Sequence, residues 1–273
     1  MNTPQHNIVQ ITKPYNTGRH VVGILGEKTS NDTRIVINSL TRESEKYLKT
    51  TADIRSNRNF GTFERGERLS ESGSALLKAA NTTAQTIAKQ RAKLKDDLLA
   101  FRPQGQYSPH APWKPQFDLR LIDAFKELPL GKQSAIRHQL GSFETACMHL
   151  DFAEACLRVP TMISPLSFNE RSAARINIGK LTAPDQVADL ELRIAEQELL
   201  SAMLRTTLNI VVEETGSISA VISGANDAWH LTQEKPPAWP HEDAPNEAWK
   251  IPAEAPPTPA PEIHGATDAA EVS

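Results

Sequence analysis

The sequence predicts an all-α protein: a multi-helix bundle with a long central helix, a small β-containing or loose N-terminal segment and a disordered C-terminal tail. Three observations predict it. Apolar residues recur at three-four spacing through 74–231. The stretch Asp185–Glu214 holds a helical pattern over thirty residues with no proline or glycine. From 232 onward the composition turns to nine prolines and eight acidic residues, too polar to build a core.

The long stretch is apolar on two sides. At 100° per residue, Leu192, Leu199, Met203 and Ile210 share one side, and Val187, Leu190, Ile194, Leu204, Leu208 and Val211 form a broader band opposite. Narrow polar strips divide them, with Glu191, Glu198 and Asn209 on one edge and Asp189, Glu196 and Glu214 on the other. Such a helix needs cover on both sides, from its own chain or from another copy. Pro184 fits its first turn, where a missing N–H costs nothing. Gly216 closes it.

The other elements follow in order. Residues 1–40 hold three short β-type runs, Ile8–Ile11, Val21–Leu25 and Arg34–Ile37, separated by turn-forming Asn16-Thr17-Gly18 and Ser30-Asn31-Asp32. They predict a small β-meander or a loose segment. Residues 41–73 read as a polar helix to about Ile54, then a linker from Ser56 to Gly73, rich in Arg, Gly and Ser. The helical core spans 74–231. Its first helix, Ser74–Phe101, carries Leu76, Ala80, Ile87, Leu94 and Leu98 on one face and stops at Pro103. The proline-rich 102–116 is an extended loop. Phe117–Leu128, with Phe117, Leu121, Ile122, Phe125 and Leu128 as its apolar stripe, and Lys132–Leu140 are short helices. Ser142–Arg158 is again apolar on two sides. Ser167 and Glu170 form a capping box for the next helix, which should end at Gly179. Ser217–Leu231 is helical but weakened by Gly224.

Net charge is −3, unevenly spread: +7 over 1–102, +2 over 103–180 and −12 over 181–273. The asymmetry suits a basic end meeting an acidic partner, or the two ends screening each other. The two cysteines, Cys147 and Cys156, are nine residues apart, about 13.5 Å along one helix and beyond disulfide reach. Free thiols fit a reducing, cytoplasmic location. No N-terminal signal pattern appears, and no apolar run approaches a membrane span.

Catalytic patterns are missing. There is no G-x-S-x-G, no phosphate-cradling glycine loop and no cysteine in a thiolate-forming setting. His138, Cys147, His149 and Cys156 are the one group of soft ligands, and helical geometry spreads them too widely for a metal. Paired carboxylates such as Asp123/Glu127 belong to solvated faces. Neither cofactor nor metal is expected, and the balance is against an enzyme.

The leading expectation is a non-enzymatic interaction or assembly protein that associates through its helical core, with itself or another protein. Its tail would recruit a partner through the Ala-Trp repeat at Trp229, Trp239 and Trp249. Trp229 reads as the end of the last core helix. Trp239 and Trp249 either anchor a partner, in the manner of interface hot spots, or fold back on their own domain. The alternative is a nucleic-acid-binding accessory protein. Lys89, Arg91, Lys93, Lys95, Arg65 and Arg68 would contact phosphates, with Phe60 and Phe63 stacking on bases, against an opposing field from Glu64, Glu67, Glu71, Asp96 and Asp97.

Overall fold

The computed structural model describes residues 7–14 and 18–239. Strands β1 (Asn7–Thr12) and β2 (Arg19–Leu25) pair antiparallel, and all the remaining elements are helical. These are α1 (Asn31–Ser56), α2 (Thr62–Ala100), α3 (Lys114–Lys126), α4 (Leu130–Leu140), α5 (Phe143–Ala146), α6 (Leu150–Arg158), α7 (Phe168–Thr182), α8 (Pro184–Thr215), α9 (Ile218–Gly224) and α10 (Asn226–Gln233). The all-α class with a small N-terminal sheet is what the periodicity predicts. From residue 240 onward the tail expectation, Trp249 included, lies outside the described residues.

Helix α8 is unbroken over 32 residues and ends on Gly216 at φ 68°, the left-handed cap. Its Leu200, Leu204, Leu208 and Val211 join Leu40 and Leu48 of α1 with Leu76, Leu77, Ala80 and Ile87 of α2 in the largest core. Helices α9 and α10 close that core with Val221, Ala228 and Leu231. The second apolar side of α8 is covered by the chain itself. Strand β2 packs on α8 and β1 on α1, and Val9 and Ile11 of β1 join the same core as Met203 and Ile210. Strand β2 crosses so close to Leu199 that a Cβ on Gly23 would lie 2.6 Å from its Cδ1. A side chain there would push the Leu199 methyl aside. The two-sided pattern therefore records a hairpin packed on one flank and helices on the other, and needs no second copy.

A second core lies within α3–α7, around Ile122, Leu140, Cys156, Leu157 and Ile178. A third, smaller one ties the ends of α2 and α8 together through Leu94, Leu98, Phe101, Val187 and Leu190.

Several local expectations are corrected. Arg34–Ile37 is helix, not a third strand. Ser30 accepts the Thr33 N–H as N-cap, so the Ser-Asn-Asp signal read as a turn is a helix start. Glu196 of α8, expected on a polar strip, is buried there and accepts from Ser30 N–H, Ser30 Oγ and Thr33 Oγ1. The Ser56–Gly73 linker is helical from Thr62. Its polar composition belongs to a mostly exposed stretch of helix, whose Gly73 sits against the Tyr47 ring of α1. Gly179 is not a cap, since α7 continues to Thr182. It is a contact point: a Cβ there would meet Val187 at 2.7 Å and Phe101 at 2.8 Å. Ser142–Arg158 is not one helix either. A 3-10 turn at Cys147–His149 splits it, and Phe143, Cys147 and Met148 are exposed rather than buried.

Candidate functional site

Helix α3 stands at the edge of the second core. Trp113 precedes it, Pro115 occupies its first turn, and its main neighbour is α6. Asp118, Ile122 and Phe125 face inward. Phe125 stacks on Phe152 with ring centroids 4.5 Å apart. The Asp118 carboxylate, wholly buried, takes a two-pronged ion pair from Arg158: Nε donates to Oδ2 at 2.7 Å and Nη2 to Oδ1 at 3.1 Å. Arg158 also donates to Glu154 at 2.9 Å and to the Gln104 carbonyl at 2.7 Å. This one guanidinium thus binds α3, α6 and the loop after α2. Partial burial, then the adjacent Asp118 charge, pushes the Tyr107 hydroxyl in that loop up to about 12.

About 100° around α3 from this face runs a second apolar stripe: Trp113 at its start, then Phe117 and Leu121, at steps of four. Phe117 is exposed at 40% and Trp113 at 57%, and their rings meet edge-on at 5.8 Å. Lys114 Nζ lies 5.8 Å from the Trp113 ring centre, and Arg120 falls on the opposite flank of the stripe. A half-exposed tryptophan and phenylalanine thus lie between two cations. The sequence reading merged Phe117 and Leu121 with Ile122 and Phe125 into one core stripe and passed over Trp113. The signal was there: Trp113-Phe117-Leu121 has its own four-residue period.

A second exposed apolar surface is the outer side of the hairpin, where Ile8 pairs with Ile24 in register and Val21 projects nearby. An open groove of about 710 Å³ beside α4 contains His138 and Arg137, but Glu170 on its rim is already engaged in the α7 capping box.

The structure separates the residues singled out in the sequence. Trp229 packs half-buried on the main core. Trp239 is partly buried. It lies on the third core with its ring 5.6 Å from that of Phe101. Of the phosphate candidates, Arg91 is buried and corrected to a structural role. It donates to the Leu231 carbonyl at 3.1 Å and to Ser201 Oγ, and Glu234 lies 3.7 Å away. Arg68 is paired with Glu64 and lies over the Phe60 ring at 4.3 Å, and Arg65 donates to the Asn57 carbonyl. Lys89, Lys93 and Lys95 are exposed, and Phe63 is too. No set of three metal-ligating side chains converges among the described residues, and no helix among them is long and apolar enough to cross a membrane.

Comparison with models of known protein families, with curated proteins and with solved structures returns no match.

Proposed function

We propose that this chain is a non-enzymatic interaction protein whose helical body docks a protein segment carrying an apolar side chain flanked by acidic residues. The observation that carries the reading is the Trp113/Phe117/Leu121 stripe, held rigid by the buried Asp118–Arg158 pair and bordered by Lys114 and Arg120. Rigid aromatic side chains supply large contact area at small entropic cost, and the cations select acidic neighbours. The two unpaired cysteines support a cytoplasmic setting. Self-association, if it contributes, has the outer hairpin face of Ile8, Val21 and Ile24 as its surface rather than α8. The Ile24→Lys variant should then lower the mass seen by light scattering.

The main reading is tested by quantitative co-purification with the full chain and with Trp113→Ala/Phe117→Ala. Trp113 is 57% and Phe117 40% exposed, so the double variant should still fold, with a melting temperature lowered by only a few degrees. A partner held by the wild type and selectively lost by the variant is the expected result. An identical set of bound proteins from both would refute the assignment.

A further inference from the structure

The groove beside α4 uses none of the residues of the α3 stripe. Leu130, Ser134, Arg137 and His138 line it, and they span about 100° of the α4 circumference, a single face. Glu170, from the first turn of α7, lines it as well. The two helices meet at Leu140, whose carbonyl accepts from Asn177 Nδ2 at 2.9 Å. We infer that this groove binds a small zwitterion of the amino-acid or short-peptide kind, its carboxylate on Arg137 and its ammonium on Glu170. The inference is independent of the reading of α3.

Three observations carry it. The first is that the cations of α4 have nothing else to hold. Arginine and histidine in a last helical turn commonly serve the open carbonyls there. Here those carbonyls have other donors: Gly141 N–H on His138, Thr145 Oγ1 on Gln139 and Asn177 Nδ2 on Leu140. Among the described residues no carboxylate lies within ion-pair distance of Arg137 or His138, and Arg137 Nε is buried with no hydrogen-bond partner. An aromatic ring positions the guanidinium instead. It lies 5.7 Å from the centre of Phe125, which is itself stacked on Phe152. A planar fork of donors lacking an acceptor matches a carboxylate.

The second observation is Glu170. Its capping box uses Oε2 alone, which accepts from Ser167 N–H at 2.7 Å and from Ser167 Oγ at 2.9 Å. Oε1 is left for another donor, and among the described residues no cation pairs with it. The groove therefore holds charges of both signs that do not satisfy each other. A ligand with one charge would be attracted by one and repelled by the other, whereas a zwitterion answers both. The third is size and lining. About 710 Å³ falls within the roughly 300–1,000 Å³ of small-molecule sites. Leu130, 83% exposed, stands about 10 Å along α4 from Arg137 and offers contact to an apolar side chain on the ligand.

The test is isothermal titration of the full chain with leucine and with the dipeptide Leu-Leu. The controls are N-acetylleucine, which lacks the ammonium, and leucinamide, which lacks the carboxylate. Expected is saturable one-site binding of a zwitterion, about tenfold or more tighter than of either control, the effect of one hydrogen bond to a charged group. The tighter of the two zwitterions tells a free amino acid from a peptide. Arg137→Gln should weaken binding about tenfold. Glu170→Gln keeps the capping box, because glutamine serves at that position too, so α7 stays intact. It should abolish the preference for leucine over N-acetylleucine, and it decides the question even if Arg137→Gln fails to fold. Equal binding of leucine and N-acetylleucine by the wild type, or a preference unchanged by Glu170→Gln, would overturn the inference. So would the absence of saturation by either zwitterion at about 10 mM, a decade above a millimolar Kd.

Discussion

Substituting Asp118 by Ala strikes the joint on which the candidate surface depends. The carboxylate is fully buried, and Arg158 is 5% exposed in its side chain, so neither charge has water to fall back on. The change removes both carboxylate oxygens that the guanidinium holds on α3 and leaves it with Glu154 and one carbonyl. Breaking a buried pair by deleting one partner costs about 3–5 kcal/mol. Because Glu154 remains at 2.9 Å, the lower end, about 3 kcal/mol, is expected. In a domain of this size each kcal/mol lowers the melting temperature by about 2–4 °C, giving a drop of roughly 6–12 °C. Urea and thermal melts followed by circular dichroism measure it. Removing both charges together, as Asp118→Leu/Arg158→Met, should recover most of the loss, because apolar replacement of a buried pair is often neutral or better. A cost below about 1 kcal/mol for Asp118→Ala, in the range of exposed ion pairs, would refute the buried joint and the rigidity argued for α3.

Gly179→Ala should destabilise by about 1–3 kcal/mol, because the new methyl enters a contact already filled by Val187 and Phe101, and a parallel Gly131→Ala variant, with open space around it, should not. Trp239→Ala should cost about 1–3 kcal/mol and raise solvent exchange in the Leu94–Phe101 turn of α2, since Phe101 loses its ring partner. In native protein one thiol, Cys147, should react with a maleimide, with Cys156 following only on unfolding. Burial pushes the Cys156 thiol up to about 12. The unfolded thiol ionises near 8.5, so the native state keeps a proton that the unfolded state loses. Stability is therefore unaffected by this group below about pH 8.5 and falls as pH rises from there toward 12, and Cys156→Ala should flatten that decline in denaturant melts between pH 8 and pH 10.

The fold class was legible because α8 and α2 have long, regular apolar periods and because glycine and proline mark the ends of α8 clearly. What misled were short signals with two physical meanings. Ser30-Asn31-Asp32 is equally a turn and a helix start, and the buried Glu196 that decides between them comes from 166 residues away. Gly179 is equally a cap and a point of close approach, and only the position of Phe101 tells which. The candidate surface was half legible. Phe117 and Leu121 stood out as apolar, but periodicity alone cannot say which of two adjacent stripes faces the core. Asp118 says it, through a partner 40 residues away.

Arginine is where sequence and structure part furthest, and this bears on the nucleic-acid alternative. The basic residues of the N-terminal third look like a phosphate-binding set when only charge is counted. In the structure Arg91 turns inward to a carbonyl and a hydroxyl, Arg68 is held by Glu64, and Arg65 ends a turn at Asn57. Arg171, in the second core, is likewise buried whole, bonding carbonyls at the end of α6. A planar group with five donors suits such orphaned carbonyls, and it is lost to phosphate once it binds them. Of six candidates, Lys89, Lys93 and Lys95 are left, beside Asp96 and an Asp97 that pairs with Arg193 at 2.7 Å. Each phosphate neutralised on duplex DNA adds about 0.9 to the slope of log affinity against log salt. Three lysines therefore set a ceiling near 2.7, half of what the six would give. A slope of 5 or more for DNA held by the full chain would mean that Arg91, Arg65 and Arg68 give up these partners to meet it, and would overturn the roles assigned to them.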